Sequence, residues 1–213
     1  MEKGNLNPNY YGQYVIEDVI YLIRSIENLH YLSIKCAKTD PPLFEFFAEK
    51  ADSYTRYTHD MAVAWHIVDD EGLAAGPSVT DYIRLQRILA YSDLPAGYSI
   101  AAMIPCERMW PELALKMKAG TSATSVYSFW ANENAQYEIP GSLAKKLDAL
   151  AKVGDLNQAR LLEIYLLAMQ CERNFFLAGG KQEYPSITIP QWILHLEEKA
   201  EEKFIAFTKR REF

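Results

Sequence analysis

The chain has 213 residues, 49% hydrophobic, 13% aromatic and 23% charged, which suits one domain with a sizeable single core. Its 22 basic residues against 28 acidic ones leave a net charge of -6, a balance that repels phosphate backbones and anionic lipid and argues against nucleic acid or a membrane surface as partner. With 10 glycines and 10 prolines, neither a collagen-like repeat nor an all-β chain with a turn every ten residues is expected, and 14 tyrosines against 9 phenylalanines place many hydroxyls on flat apolar faces.

Apolar residues recur at intervals of three and four almost throughout, so the sequence predicts an all-α, single-domain bundle of about eight helices spanning residues 1–213. In the first helix the apolar stripe runs Tyr11, Tyr14, Val15, Asp18, Tyr21 and Leu22, with Asp18 standing inside it. Breaks follow at Asp40-Pro41-Pro42 and at Gly76-Pro77, where Pro77-Ser78 starts the third helix. After Leu94-Pro95-Ala96-Gly97 comes a fourth, in which Pro105 removes the backbone bond to Ala101 and predicts a kink beside Cys106. Gly120-Thr121-Ser122, Pro140-Gly141 and Gly154-Asp155 mark the next boundaries, with Ser122, Gly141-Ser142 and Asp155 as start signals for the fifth, sixth and seventh helices. The seventh carries the stripe Leu161, Tyr165, Ala168, Glu172 and Phe175, flanked by Cys171 and Phe176, and so aims Glu172 at the core. A loop from Gly179 to Pro190 leads to the last helix, whose charge run from Glu197 to Lys203 and on to Lys209, Arg210 and Arg211 predicts a solvated face.

Buried carboxylates are paired, hydrogen-bonded or shifted in pKa, and strongly shifted ones gather at functional sites. Asp18 and Glu172 are therefore candidates, the alternative being a structural hydrogen bond from a tyrosine or tryptophan. Cys36, Cys106 and Cys171 are too scattered for a disulfide framework and form no CxxC pair. Cys106, next to backbone groups that Pro105 frees, is the candidate nucleophile, against the alternative of a core cysteine. With no apolar leader and no run of 18 apolar residues, the expected location is cytoplasmic.

Four motifs in order then carry a resemblance. Gly4-Asn5-Leu6 followed by Tyr11-Gly12-Gln13-Tyr14-Val15-Ile16-Glu17-Asp18-Val19-Ile20-Tyr21-Leu22, the pair Pro105-Cys106, Tyr127-Ser128-Phe129-Trp130, and Glu172-Arg173-Asn174-Phe175-Phe176 together resemble the TenA family of thiaminase II and aminopyrimidine aminohydrolases, with its heme-oxygenase-like helical fold. The resemblance implies Asp18 and Glu172 as pyrimidine-binding and acid/base groups and Cys106 as nucleophile. It implies Tyr21 and Phe175 as stacking walls, and Tyr82, Trp110 and Asn134 in the substrate-binding lining. Implied too are hydrolysis of an aminomethylpyrimidine or thiamine-related compound to hydroxymethylpyrimidine in thiamine salvage, a small-molecule pyrimidine partner, no metal or cofactor, and a homo-oligomer.

Departures from the family pattern are Glu17 for its glutamine, and Trp110 and Asn134 where it has tyrosines. The chain also begins where the family's second helix begins, so a first helix is expected to be absent. Two rival functions follow. One is a non-catalytic binding or regulatory protein that keeps the pocket. The other is a metal-dependent oxidase of the same fold, for which Asp52 with His59, His66 with Asp70, and His195 with Glu198 are the candidate ligands. His66 is also expected near the pocket, and His30 is expected to be structural or superficial.

Overall fold

The computed structural model describes residues 6–68, 72–122, 124–125, 127–135, 142–153, 156–178 and 186–210. Nine helices occur among them: α1 (Pro8–Cys36), α2 (Pro41–Ala64), α3 (Pro77–Tyr91), α4 (Gly97–Lys118), α5 (Ser128–Ala135), α6 (Ser142–Val153), α7 (Gln158–Ala178), α8 (Gln191–Leu194) and α9 (Glu197–Lys209). The fold class is all-α, and the described breaks that proline and glycine mark are helix boundaries.

Three of these helices begin with proline in the first turn, where the missing N–H has no intrahelical partner to lose. Asn7 caps α1 by accepting from the Asn9 N–H at 2.9 Å, and Asp40 caps α2 by accepting from the Leu43 N–H at 3.1 Å. The start of α3 has no side-chain cap of its own. Instead the buried Glu17 of α1 reaches it and accepts from the Ser78 hydroxyl at 2.7 Å, which accounts for a glutamate on a buried face.

One start signal fails. Helix α5 begins at Ser128 rather than at Ser122, whose carbonyl accepts from the Ser125 N–H in a turn, the Ser128 N–H donating in its own turn to the Ser125 carbonyl. Helix α7 is capped by Asn157, whose Oδ1 accepts from the Arg160 N–H at 3.1 Å. Asp155, like Gly4, Asn5, Asp70, the Pro140-Gly141 and Gly154-Asp155 breaks, Arg211 and most of the Gly179–Pro190 loop, lies outside the described residues.

The core has two clusters. One gathers Tyr11, Tyr14, Tyr21, Tyr82, Trp110, Trp130 and Phe175 from α1, α3, α4, α5 and α7. The other packs Leu29, Leu32, Phe47, Tyr91, Ile100 and Ile104 toward the far half of α1. Helix α1 spans both, with α2 packed along it. The charged last helix keeps Glu198, Lys199, Glu202, Lys209 and Arg210 exposed, while Glu197 binds the Arg84 guanidinium through both oxygens and Glu201 and Lys203 pair with Arg87 and Asp93, tying α9 to α3 and the residues just after it.

One buried ion pair positions the site. The Lys50 ammonium of α2 donates to Glu107 Oε1 of α4 at 2.7 Å, and the Leu143 N–H at the start of α6 donates to Glu107 Oε2 at 2.8 Å. The two side chains are 10% and 1% exposed, so removing one partner strands a buried charge. Lys50→Met is expected to cost about 3–5 kcal/mol of stability in urea titration. A Lys50→Met/Glu107→Leu double variant is expected to recover most of it; equal losses in both would show that the pair itself is not the cause.

Candidate functional site

Three helices bring the candidate residues together: α1 supplies Asp18, α4 supplies Cys106 and Trp110, and α7 supplies Glu172 and Phe175. Asp18 is fully buried and neither carboxylate oxygen has a hydrogen-bond partner. Glu172 is also fully buried; its Oε2 accepts from the Trp110 indole N–H at 3.0 Å, while Oε1 has no partner. Unpaired buried oxygens are costly as anions, so the proton stays on longer than in water.

Burial, and then the neighbouring Glu172, push the Asp18 carboxyl well above the ordinary range. Burial pushes Glu172 up to about 7, with the Trp110 hydrogen bond, and then the nearby Tyr82 hydroxyl and Cys106 thiol, favouring the charged form and pulling it back. Near neutral pH the pair therefore retains a proton, and Glu172 is poised both to take and to give one. The Cys106 thiol is driven up by burial and by the Glu172 and Asp18 carboxylates, against weaker help to the thiolate from Tyr21 and Lys50. It rests as a neutral thiol beside a group able to accept its proton.

Aromatic rings pack around these groups. Tyr14 lies 5.1 Å from Phe175 and stacks on Phe176 at 5.7 Å, and Trp110 stands 6.2 Å from both Tyr14 and Phe175. Tyr21 sits 5.0 Å from Tyr82, accepts from Gln86 Nε2 at 2.8 Å, and is thereby fixed in place. The Tyr82 hydroxyl donates to the Ala102 carbonyl at 2.9 Å, one residue from the Ala101 carbonyl that Pro105 deprives of its helical donor. Helix α4 continues through both Pro105 and Pro111.

A cleft of about 200 Å³ opens onto this assembly between α2, α4 and α5. Cys106, Trp110 and Asn134 line it, with Tyr54 and Tyr57 of α2 opposite and Glu107 and Glu133 at its margins. Asp18, Glu172, Tyr21, Tyr82 and Phe175 are not in its lining; they lie behind Cys106 and Trp110, buried.

Several sequence readings change here. Trp110 replaces a hydroxyl with an indole N–H that is already bonded to Glu172, so the polar function at this position is altered, not lost. Asn134 donates through Nδ2 to the Tyr57 hydroxyl at 3.1 Å, which brings in a tyrosine from α2 that the stripe analysis passed over. The nearest signal was the Tyr54 to Tyr57 spacing of three, one helical step. Tyr165 packs against the second core cluster and not beside Glu172. His66 does not line the cleft; it is exposed past the end of α2, at a left-handed φ of 56°. Asp52, His59, His195 and Glu198 are exposed, and among the described residues no group of three or more His, Cys, Asp or Glu could hold a metal ion.

The Trp110 bond yields a specific expectation. Trp110→Phe removes the one full hydrogen bond to the Glu172 carboxylate, so the Glu172 pKa is expected to rise above 7. Infrared titration of the carboxyl band against pH checks this, and a midpoint that stays put or falls contradicts it.

No family model matches the sequence, and no curated protein matches it. Among solved structures, the TenA homologue protein from P. horikoshii OT3 matches with a TM-score of 0.70 at 19% identity, over 84% of this chain and 87% of that one. No helix among the described residues is long and apolar enough to cross a membrane. The chain thus has the heme-oxygenase-like helical fold of the TenA proteins.

Proposed function

We propose that the protein is a TenA-type aminopyrimidine hydrolase in which Cys106 is the nucleophile, Glu172 the proton carrier and Asp18 the pyrimidine anchor. The observation that carries this reading is the meeting of a buried thiol with two buried carboxylates, of which both Asp18 oxygens and Glu172 Oε1 lack partners and Glu172 is poised near neutrality. A protonated Asp18 offers one donor and one acceptor, matching the amino group and adjacent ring nitrogen of an aminopyrimidine. Flat aromatic neighbours suit a flat ring.

In the reaction, Glu172 takes the Cys106 proton and the thiolate adds to an electron-poor ring carbon, while Asp18 gives its proton to the ring nitrogen. Glu172 then protonates the leaving amine, which departs from the exocyclic methylene. Water adds to that carbon as Glu172 takes its proton, the ring proton returns to Asp18, and the sulfur leaves as thiolate and regains its proton from Glu172. The sum is an aminomethyl group and water giving a hydroxymethyl group and ammonia, with no redox change. With Glu107 neutralised by Lys50, the exposed Glu133 in the cleft lining disfavours a phosphate monoester, so the substrate class is an unphosphorylated aminomethylpyrimidine or thiamine-like compound.

The second reading, a binding protein without turnover, is favoured by one observation: Trp110 already occupies one of the two Glu172 oxygens, leaving only Oε1 for proton transfer. Chromatography of the protein with aminomethylpyrimidine decides between them. Equimolar hydroxymethylpyrimidine and ammonia support the hydrolase; tight binding with no product supports the binder, and neither binding nor product contradicts both.

A further inference from the structure

The Asn134 carboxamide and the Tyr57 hydroxyl form a donor–acceptor chain whose direction can be worked out. Asn134 Nδ2 lies 3.0 Å from the Trp130 carbonyl and 3.1 Å from the Tyr57 hydroxyl oxygen. A carbonyl only accepts, so the nitrogen of the amide must face it, and the amide orientation is settled. The second Nδ2 proton then goes to Tyr57, whose oxygen accepts and whose own proton is not spent on Asn134. Both residues line the cleft beside Cys106, and among the groups acting on Tyr57 are Asp18 and Cys106. A hydroxyl fixed by an amide, with its proton free in a cleft next to a thiol, is a preset donor.

We propose that Tyr57 determines specificity by donating this hydrogen bond to an acceptor on the ligand held beside Cys106, with Asn134 as the positioning residue. Resting on the pyrimidine reading above, it assigns Tyr57 to the ring nitrogen that Asp18 does not take. The substrate must then carry an acceptor on the edge facing α2, and analogues lacking it are rejected.

The test is calorimetric binding of the aminomethylpyrimidine and of two pyridine analogues, each with one ring nitrogen replaced by C–H, to the wild-type chain, Tyr57→Phe, Asn134→Ala and the double variant. Tyr57→Phe is expected to weaken pyrimidine binding about tenfold, in line with loss of one hydrogen bond. It should have no effect on the binding of one of the two pyridines. The double variant should bind no more weakly than Tyr57→Phe alone, because Asn134 acts through Tyr57. Wild-type protein that binds the pyrimidine while Tyr57→Phe binds it equally overturns this inference and leaves the pyrimidine reading standing. Wild-type protein that binds no pyrimidine overturns both. If Tyr57→Phe does not fold, Asn134→Ala carries the comparison, and an unchanged affinity and pyridine preference in it overturns the inference.

Discussion

Cys106→Ala is expected to lower release of hydroxymethylpyrimidine by about 10³-fold or more, and Cys106→Ser to do nearly the same, because neither variant supplies a sulfur to add to the ring. The fold should survive, since the side chain shrinks by one atom in a site still walled by Trp110, Tyr21 and Tyr14. The cost in stability is on the order of 1 kcal/mol, the scale of removing one small buried group. Binding of the pyrimidine should fall far less than turnover, since in the proposed mode Asp18 and the aromatic rings would hold the ligand independently of the thiol. Turnover in Cys106→Ala within tenfold of wild type would remove the nucleophile from the mechanism and leave the carboxylates to activate water directly.

Glu172→Gln is expected to have two large and separable effects. Turnover should fall about 10²–10⁴-fold, the usual contribution of a positioned acid or base, because an amide can neither take the thiol proton nor deliver one to the departing amine. Stability should change in the opposite sense. The Glu172 pKa is raised from 4.5 to about 7 in the folded chain, so between those values the folded state binds more protons than the unfolded state. Stability is then fully present below pH 4.5 and falls as pH rises through 7, by an amount on the order of 3 kcal/mol. Glutamine cannot ionise, so the variant should lack this decline and be more stable than wild type at pH 8. Urea midpoints at pH 5 and pH 8 check the sign: parallel pH dependence in both proteins, or a variant weaker at pH 8, would contradict the assignment of a neutral carboxyl at this site.

Much of the arrangement was legible in the sequence because helical periodicity tells which face is inward. The stripe through Tyr11, Tyr14, Asp18 and Tyr21 and the one through Ala168, Glu172 and Phe175 put two carboxylates on buried faces, and both are fully buried. What periodicity could not show is how faces from different helices meet. The Trp110 bond to Glu172 and the Asn134 bond to Tyr57 span 62 and 77 residues of chain. Each joins side chains that carry no local signal of their partner. Asp18 without any partner and Glu172 with one were equally invisible, since the two residues look alike in their stripes.

The same limit explains the readings that failed. Ser122 has the chemistry of a cap but sits in a turn, where its hydroxyl lies 3.0 Å from that of Thr124 in place of starting α5. The charge run of α9 is solvated at Glu198, Lys199, Glu202, Lys209 and Arg210, as composition suggests, and what composition alone does not show is that Glu197, Glu201 and Lys203 pair with Arg84, Arg87 and Asp93. Lys50 and Glu107, distant in sequence and ordinary in type, gave no hint of a buried pair.

In the proposed mechanism Asp18, Cys106 and Glu172 serve one pyrimidine. A crystal structure of the protein with hydroxymethylpyrimidine bound tests it most directly. The account predicts the ring against Cys106, its amino edge on Asp18 and Glu172 Oε1 within hydrogen-bonding distance of the exocyclic group, so that the unpartnered oxygens of the free protein gain partners. A pyrimidine bound in the outer cleft with both carboxylates still sealed behind Trp110, or bound elsewhere on the chain, would contradict it.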